Sequence, residues 1–228
     1  MHNGGAMAII SEKFDLLGRD DPTKTYRLGI MGGTFDPIHI GHLACAEQVA
    51  DTCELDGVIF MPAGDPWMKQ GRAVTSADHR FNMVAKAIAG NDRFCVSRLE
   101  INRPGNTYTI DTLRTLREHF PNNVDLYFIS GADALFHILK WRNPAEVAQL
   151  AHLVAATRPG YELSDTRKRY MRTHANIFRI IPAEITALSI SSSDIRERVR
   201  NKKSIRYLVP REVFAYIHEH KIYTISHE

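Results

Sequence analysis

Residues 32–42, with the sequence GGTFDPIHIGH, decide how this 228-residue chain folds. They follow an apolar run at residues 26–31, YRLGIM, which predicts a first β-strand. They lead into residues 43–50, LACAEQVA, which predict a helix. A strand that turns through two glycines into a helix start exposes backbone N–H groups and the positive end of a helix dipole. The string therefore predicts a phosphate-binding corner.

The composition is that of a mildly basic globular protein. Hydrophobic residues make up 44% of the chain, charged residues make up 24%, and the formal net charge is +3. A chain of this length can bury a substantial core as one domain. The charge suits an anionic small substrate and is too small to predict nucleic-acid binding.

We divide the chain into an N-terminal extension at residues 1–24, expected to be loosely ordered, and one domain at residues 25–222. No apolar run approaches the roughly 20 residues that a membrane-spanning helix needs. Residues 6–10 are too few for the apolar region of a signal peptide. The three cysteines lack CxxC spacing and favour reduced thiols. These features predict a cytoplasmic protein that does not bind a membrane.

Alternating strand and helix patterns continue along the chain. Further strands are predicted at residues 57–62, 94–97, 124–129, 152–156 and 177–181. Further helices are predicted at residues 77–89, 109–120, 134–141, 144–150, 191–201 and 210–218. Strands separated by helices predict right-handed βαβ units. The expected fold class is α/β, a Rossmann-like doubly wound parallel sheet with helices on both faces and a C-terminal helical subdomain.

In such sheets, ligands bind at the carboxyl ends of the strands, near the point where the strand order reverses. The opening string, the turn at residues 131–133 and Arg158 all follow predicted strands. We therefore expect these three features to lie at one edge of the sheet.

Two histidines of the opening string are candidates for chemistry. His39 and His42 lie on the first turn of the predicted helix. Their rings can donate hydrogen bonds to a phosphoryl oxygen and to the oxygen that leaves it, because a phosphoryl-type transition state mainly requires positioning and charge stabilisation. The structural alternative is a histidine pair that meets only water or backbone. Gly32 and Gly33 let the backbone approach a ligand closely.

A second string, SISSSDIR at residues 189–196, lies near the C-terminus. Hydroxyl groups and backbone N–H groups at a helix start can bind triphosphate oxygens, and Arg196 adds charge one turn later. Ser191 and Asp194 also have the spacing of a simple capping box, which is the structural alternative.

Together the two strings resemble those of a known enzyme family. Residues 39–42 match the HxGH signature of the nucleotidyltransferase superfamily, shared with class I aminoacyl-tRNA synthetases, and residues 189–196 resemble its ISSTxIR element. The longer string at residues 32–42 resembles that of bacterial nicotinate-nucleotide adenylyltransferases. These enzymes join ATP and nicotinate mononucleotide into deamido-NAD and pyrophosphate. Phosphopantetheine adenylyltransferases usually have threonine where this chain has His39.

The resemblance implies a set of site residues. The implied catalytic residues are His39, His42 and Arg196. The implied ATP-binding residues are Gly32, Gly33, Thr34, Phe35, His42, Lys69, Gly131, Asp133, Ile190, Ser191, Ser192, Ser193 and Arg196. The implied nicotinate mononucleotide-binding residues are Thr34, Lys69, Tyr108, Thr109, Trp141 and Arg158.

The resemblance implies that residues in the middle of the chain select the substrate that accepts the AMP group. Residues 106–113, NTYTIDTL, resemble the family's (S/T)YTxDTL segment, whose Tyr and Thr groups line the nicotinate pocket. Trp141 resembles the family tryptophan that stacks on the pyridine ring. The family often has an aromatic residue next, and Arg142 stands here instead. The structural alternatives are a helix cap for Thr109 and a core position for Trp141.

The resemblance implies direct in-line transfer, with Mg²⁺ carried by the ATP phosphates and no metal ligand from the protein. The expected partners are ATP and nicotinate mononucleotide, without nucleic acid or membrane, and a homo-oligomer is left open. One alternative is a phosphopantetheine adenylyltransferase or another small-molecule nucleotidyltransferase. Another is a nucleic-acid or regulatory binding module that kept the fold and lost catalysis.

Overall fold

The computed structural model describes residues 12–64, 74–135, 141–157, 178–186 and 188–224, together with Ile138 and Thr173. Its strands are β1 (Tyr26–Gly33), β2 (Gly57–Pro62), β3 (Phe94–Val96), β4 (Val124–Gly131), β5 (His152–Thr157) and β6 (Ile180–Glu184). Its helices are α1 (Glu12–Asp15), α2 (Ile40–Thr52), α3 (Ala77–Ile88), α4 (Thr109–His119), α5 (Ala132–Leu135), α6 (Pro144–Leu150), α7 (Ser192–Arg200) and α8 (Arg211–Glu219).

The six described strands form one parallel sheet in the order β3-β2-β1-β4-β5-β6. The chain first builds outward from β1 to β3, then returns to place β4 on the other side of β1. The strand order therefore reverses between β1 and β4, and the carboxyl ends of these two strands flank the position where such sheets bind ligands. The predicted Rossmann-like α/β fold is confirmed.

Two apolar clusters cover the two faces of the sheet. In β2, Val58 and Phe60 belong to one cluster, whereas Ile59 and Met61 belong to the other, because successive side chains of a strand point to opposite faces. Helices α2, α3, α7 and α8 contribute to the first cluster, and α4 and α6 contribute to the second. The two C-terminal helices, predicted as a helical subdomain, thus pack into the same cluster as α2 and α3.

The residues that precede β1 pack on the domain. Phe14 is buried in the cluster that α4 covers, and a Cβ at Gly57 would lie 2.2 Å from its ring. The side-chain amide of Asn123 donates hydrogen bonds to three carbonyls between residues 18 and 24. These contacts attach residues 14–24 to the domain. The division of the chain at residue 25 stays a prediction.

Most predicted element bounds lie within about three residues of the observed ones. The last strand begins three residues later than predicted, at Ile180, and continues through Pro182. A proline lacks the N–H that a central strand requires, so it indicates a strand end in a sequence. β6 tolerates it because this strand lies at the edge of the sheet. The predicted helix at residues 134–141 is described only in part, as α5 with Ile138 and Trp141.

Glu100 is a buried carboxylic acid under α4. It accepts a hydrogen bond of 2.7 Å from the hydroxyl of Thr112. Burial raises the pKa of Glu100 from 4.5 to about 7. Since the folded protein then binds this proton more tightly than the unfolded chain, the carboxyl lowers the free energy of unfolding as pH rises from about 4.5 to 7.

We expect the Glu100→Gln variant to gain stability relative to the wild type as pH rises from about 5 to 8, by up to roughly 3 kcal/mol. The amide cannot ionise and so carries no desolvation cost for charge. Urea unfolding of both proteins at both pH values measures the difference. Glu118→Gln, an exposed change on α4, serves as the matched control. An equal difference at both pH values would contradict the expected ionisation.

Candidate active site

In the string at residues 32–42, the rings of Phe35 and His39 pack against Gly33 and Gly41. Phe35 has a φ of 49°, in the left-handed region, and its ring lies over Gly33, where a Cβ would come within 2.9 Å. A Cβ at Gly41 would come within 3.1 Å of the His39 ring. A side chain at Gly33 or Gly41 would therefore crowd a ring of the same string, independently of any ligand.

His39 and His42 stack on each other at the start of α2. Their ring centroids are 3.7 Å apart, with an interplanar angle of 22°. The backbone N–H of His39, the N-cap residue of α2, donates to Nδ1 of His42 at 3.3 Å. Because Nδ1 accepts this bond, the proton of the neutral His42 ring lies on Nε2. His42 is thereby oriented as a hydrogen-bond donor.

His39 is the more buried member of the pair, with 6% of its surface exposed. Burial lowers its pKa from 6.5 to about 4, so the ring is neutral at pH 7. Neutrality also avoids the repulsion that two stacked cations would suffer. Its Nδ1 is buried and has no hydrogen-bond partner among the described residues. The ring can therefore act as a neutral donor or acceptor, but not as a cation.

The second string contacts the first directly. Nη1 of Arg196 on α7 donates to the carbonyl of Asp36 at 2.7 Å, and Nη2 donates to the Ser193 hydroxyl at 3.2 Å. The hydroxyl of Ser192 donates to the carbonyl of Pro37 at 2.8 Å. Residues 155 and 160 positions apart along the chain are thus bonded to each other. The fold places the guanidinium beside the loop that holds the histidines.

The N-terminus of α7 shows one half of the capping box that the structural alternative predicts. The Ser191 hydroxyl accepts a hydrogen bond from the N–H of Asp194 at 3.1 Å. Ile190 precedes this cap, and its Cβ would lie 3.9 Å from a Cβ at Gly41. The starts of α2 and α7 therefore adjoin. Capping by Ser191 is compatible with the contacts that Ser192 and Arg196 make to the first string.

Arg80 on α3 organises the loops around the site, with 1% of its surface exposed. Its guanidinium donates to the carbonyls of Thr75 at 2.9 Å, Thr34 at 2.9 Å and Gly64 at 3.0 Å. These carbonyls belong to the loops after β1 and β2 and to the segment before α3. A single buried cation thereby joins three backbone segments at the carboxyl edge of the sheet.

Arg80 was not among the predicted site residues, although the sequence contains a signal for it. The residue stands on the buried face of α3, together with Met83, Val84 and Ile88. A cation at apolar helical spacing is uncommon unless it is paired inside the protein. An arginine in this pattern therefore indicates a buried polar partner.

The predicted nicotinate segment lies at the start of α4. Tyr108 is the N-cap residue and Thr109 is the first helical residue, so the alternative that Thr109 caps this helix is wrong. The guanidinium of Arg142 lies over the Tyr108 ring, 5.1 Å from its centroid, and 3.9 Å from a carboxylate oxygen of Asp111. A cation thus covers this ring where the family often has an aromatic residue.

Trp141 is partly buried and packs against the second apolar cluster. Its ring meets Phe128 edge to face, with centroids 5.6 Å apart. The Phe128 ring would in turn lie 3.6 Å from a Cβ at Gly32. Phe128 therefore connects the tryptophan to the opening string across β4 and β1.

Some of the predicted site residues lie wholly or partly outside the described part of the chain. Lys69 and Arg158 lie outside the described residues, and the side chain of Asp133 is also outside the described part. Gly131 is the last residue of β4, at the carboxyl edge of the sheet. The roles implied for these four residues, like those implied for the other predicted site residues, stay predictions.

The described donors fit an anionic ligand. They are imidazole, guanidinium, hydroxyl and backbone N–H groups, and within the described ranges no group of three or more His, Cys, Asp or Glu residues could hold a metal ion. None of the helices in the described part is both long and apolar enough to cross a membrane. Cys45, Cys53 and Cys95 are buried, and the described residues contain no disulfide bond between them.

The comparisons with known proteins agree with this geometry. A family model described as cytidylyltransferase-like matches residues 30–198. A probable nicotinate-nucleotide adenylyltransferase of Corynebacterium kroppenstedtii is 48% identical over 200 residues, which cover 88% of this chain and 92% of the relative. A protein of the same name from Clavibacter sepedonicus is 49% identical over 201 residues, covering 88% and 96%. The chain belongs to the nicotinate-nucleotide adenylyltransferase family. The resemblance drawn from its motifs is confirmed, and the chain is a nucleotidyltransferase.

Solved structures share the fold. A Plasmodium falciparum nicotinic acid mononucleotide adenylyltransferase complexed with NaAD has a TM-score of 0.71 and 21% identity, covering 87% of this chain and 97% of that one. The same protein complexed with APC has a TM-score of 0.69, also at 21% identity and with the same coverage. At this identity the likeness concerns the arrangement of strands and helices.

Proposed function

We propose that this chain transfers AMP from ATP to nicotinate mononucleotide, forming nicotinate adenine dinucleotide and pyrophosphate in NAD biosynthesis. The observation that carries the proposal is the direct contact of the two strings, in which Arg196 donates to the Asp36 carbonyl at 2.7 Å. This contact brings a guanidinium, the two stacked imidazoles and two helix starts to the carboxyl end of β1. Each of these groups stabilises phosphate charge.

The proposed reaction is one in-line displacement. A 5′-phosphate oxygen of nicotinate mononucleotide attacks the α-phosphorus of ATP, and a new P–O bond forms there. The bond from the α-phosphorus to the oxygen that bridges to the β-phosphorus breaks, and this oxygen leaves with pyrophosphate. Because the attacking oxygen is already anionic, no general base is required.

The protein contributes mainly positioning and hydrogen-bond donors in this reaction. In this proposal, His42 and Arg196 stabilise the negative charge that develops on the α-phosphate and on the leaving pyrophosphate. His39 contributes a hydrogen bond from its neutral ring next to them. The remaining ATP-binding residues are those implied by the motifs, including Lys69 and the hydroxyls at the start of α7. Thr34, Tyr108, Thr109, Trp141 and Arg158 complete the proposed site on the acceptor side.

Mg²⁺ accompanies ATP in the proposed reaction and neutralises part of the triphosphate charge. The nearby carboxylate of Asp36 accepts a hydrogen bond of 2.7 Å from the Tyr223 hydroxyl, and only 4% of Asp36 is exposed. Phosphate oxygens and water are therefore the proposed ligands of the ion. This fits a protein site composed mainly of N–H and O–H donors.

The function is tested by measuring pyrophosphate release from ATP with a panel of acceptors. Nicotinate mononucleotide is expected to be turned over selectively, ahead of nicotinamide mononucleotide and phosphopantetheine. Selective turnover of phosphopantetheine would favour the alternative enzyme class. Salt-sensitive RNA binding without pyrophosphate release would favour a binding module. Radiolabelled adenylate that stays covalently bound as a competent intermediate would contradict direct transfer.

Replacing Trp141 with alanine is expected to raise KM for nicotinate mononucleotide by about two- to tenfold, because a stacking contact of 0.5–1.5 kcal/mol is lost. KM for ATP should change little. Steady-state kinetics with each substrate varied in turn measure the two constants. Tyr207→Ala is the matched control, since 89% of Tyr207 is exposed. A rise confined to KM for ATP would refute the acceptor role of Trp141.

The cytoplasmic location and a homo-oligomeric state remain proposals. Three buried cysteines without a disulfide bond fit a reducing compartment. Light scattering of the purified full chain would determine its oligomeric state.

A further inference from the structure

The carboxylate of Asp36 lies between Arg196 of the candidate active site and Tyr223 of the C-terminal segment. Its Oδ1 accepts a hydrogen bond from the Tyr223 hydroxyl at 2.7 Å. Its Oδ2 accepts one from the backbone N–H of Thr75 at 3.5 Å and lies 4.0 Å from Nη1 of Arg196. The same Nη1 donates to the carbonyl of Asp36 at 2.7 Å. The carboxylate and the guanidinium are thus neighbours without forming a close, two-oxygen pair.

Tyr223 reaches Asp36 from a fixed turn after α8. Ile222 is buried in the first apolar cluster, and its N–H donates to the carbonyl of Ile217 at 3.0 Å. Tyr223 itself has a φ of 66°, in the left-handed region that non-glycine residues rarely adopt. A bulky residue keeps such a conformation only where its surroundings hold it there. The position of the hydroxyl is therefore set by the packing of the C-terminal segment.

The hydroxyl acts as a donor to the carboxylate throughout the neutral pH range. Burial, together with the negative charge of Asp36, raises the pKa of Tyr223 far above its usual value. Among the described residues, Arg80 is a second cation near Asp36, and its guanidinium is occupied by three carbonyls. If the tyrosine hydroxyl were absent, the carboxylate could pair with the Arg196 guanidinium, whose Nη1 lies 4.0 Å from Oδ2.

We infer that Tyr223 is a positioning residue for nucleotidyl transfer: by holding Asp36 Oδ1, it keeps the carboxylate from closing on Arg196. A buried carboxylate that loses one donor gains most from a guanidinium, because a carboxylate–arginine pair with two hydrogen bonds is stronger than a bond to a neutral donor such as the Thr75 hydroxyl, which lies beside that of Tyr223. Arg196 held in such a pair would be less able to bind phosphate oxygens. The inference rests on the proposed role of Arg196 toward ATP.

Tyr223→Phe tests this idea because it removes only the hydroxyl. We expect kcat/KM for ATP to fall about tenfold, as for the loss of one hydrogen bond to a charged group, while KM for nicotinate mononucleotide stays within about twofold. Tyr216→Phe is the matched control: its hydroxyl is bonded to His79 at 2.9 Å and Asn82 at 3.0 Å, between α8 and α3. The kinetic constants of the control should stay within about twofold of the wild type.

A double-mutant cycle with Arg196→Ala separates positioning from simple destabilisation. In the Arg196→Ala background, Tyr223→Phe should cause no further loss of kcat/KM for ATP, because there is no guanidinium left to capture. Calorimetric titration with a non-hydrolysable ATP analogue measures the fraction of each variant that can bind the nucleotide. The kinetic constants are then calculated from this fraction, so that misfolded protein does not affect them.

Three results would overturn the inference. One is wild-type kcat/KM for ATP in Tyr223→Phe, and another is a loss that multiplies with that of Arg196→Ala. Either of these two results leaves the proposed function intact, provided that Arg196→Ala alone strongly lowers kcat/KM for ATP. The third is full activity of Arg196→Ala, which removes the proposed role of Arg196 and the inference together.

Discussion

Replacement of His42 by alanine is expected to lower kcat by about two to three orders of magnitude, the usual cost of losing one donor to a developing negative charge. The ring is oriented by the His39 N–H at 3.3 Å and by stacking on the His39 ring at 3.7 Å. Its edge-to-face contact with Phe35, at 5.2 Å, supports it from the other side. A side chain held in this way acts without reorganising during the reaction. Pyrophosphate release under saturating ATP and acceptor measures kcat.

The matched control for His42 is His152→Ala. His152 is exposed on β5 and packs on the Tyr127 ring, with centroids 4.7 Å apart. Its loss should leave kcat within about twofold, since surface substitutions of this kind have small effects. A His42→Ala variant with wild-type kcat would show that the guanidinium and the helix starts suffice, and would refute the donor role.

Replacement of Arg80 by methionine is expected to lower the free energy of unfolding by about 3 kcal/mol or more. The same change is expected to lower kcat/KM for both substrates. Methionine keeps much of the length of the side chain but leaves the carbonyls of Thr34, Gly64 and Thr75 without their shared donor. Each buried carbonyl that loses its partner costs about 1–3 kcal/mol unless water replaces it. Urea unfolding followed by circular dichroism measures the loss.

Arg93→Met is the matched control for Arg80, because it removes a surface arginine. Arg93 bridges Glu47 at 3.4 Å and Asp51 at 2.7 Å, and 37% of its side chain is exposed. Exposed ion pairs of this kind contribute about 0–1 kcal/mol. Equal losses for the two variants would mean that Arg80 is not the buried link between the loops.

The success of the fold prediction follows from local patterns. β2 was predicted with its observed bounds, since all six of its residues are buried and its sequence, GVIFMP, ends at a proline. β1 and β4 extend two residues beyond their predicted ends, into the glycines that were assigned to turns. Glycine is a weak indicator here because these strand ends lie in the middle of the sheet, where pairing with neighbours continues the strand.

The candidate site was predictable in part. His39, His42 and Arg196 were identified from short strings because their chemistry depends on residue type and spacing along a helix start. Arg80 and Tyr223 were not, because their partners come from separate segments: Arg80 donates to carbonyls 5, 16 and 46 positions away, and Tyr223 donates to a carboxylate 187 positions away. The Arg142 position shows the same limit: its ring contact with Tyr108 joins the start of α4 to the segment before α6.

By itself, the sequence determined the alternation of strands and helices, the two phosphate-binding strings and the family, because hydrophobic periodicity and short motifs are local properties of the chain. Only the tertiary structure decided that His39 is buried and neutral, and that Asp36 lies between Arg196 and Tyr223. The two contacts of Asp36 join residues that are 160 and 187 positions apart in sequence. Burial and pairing at such separations follow from the path of the whole chain.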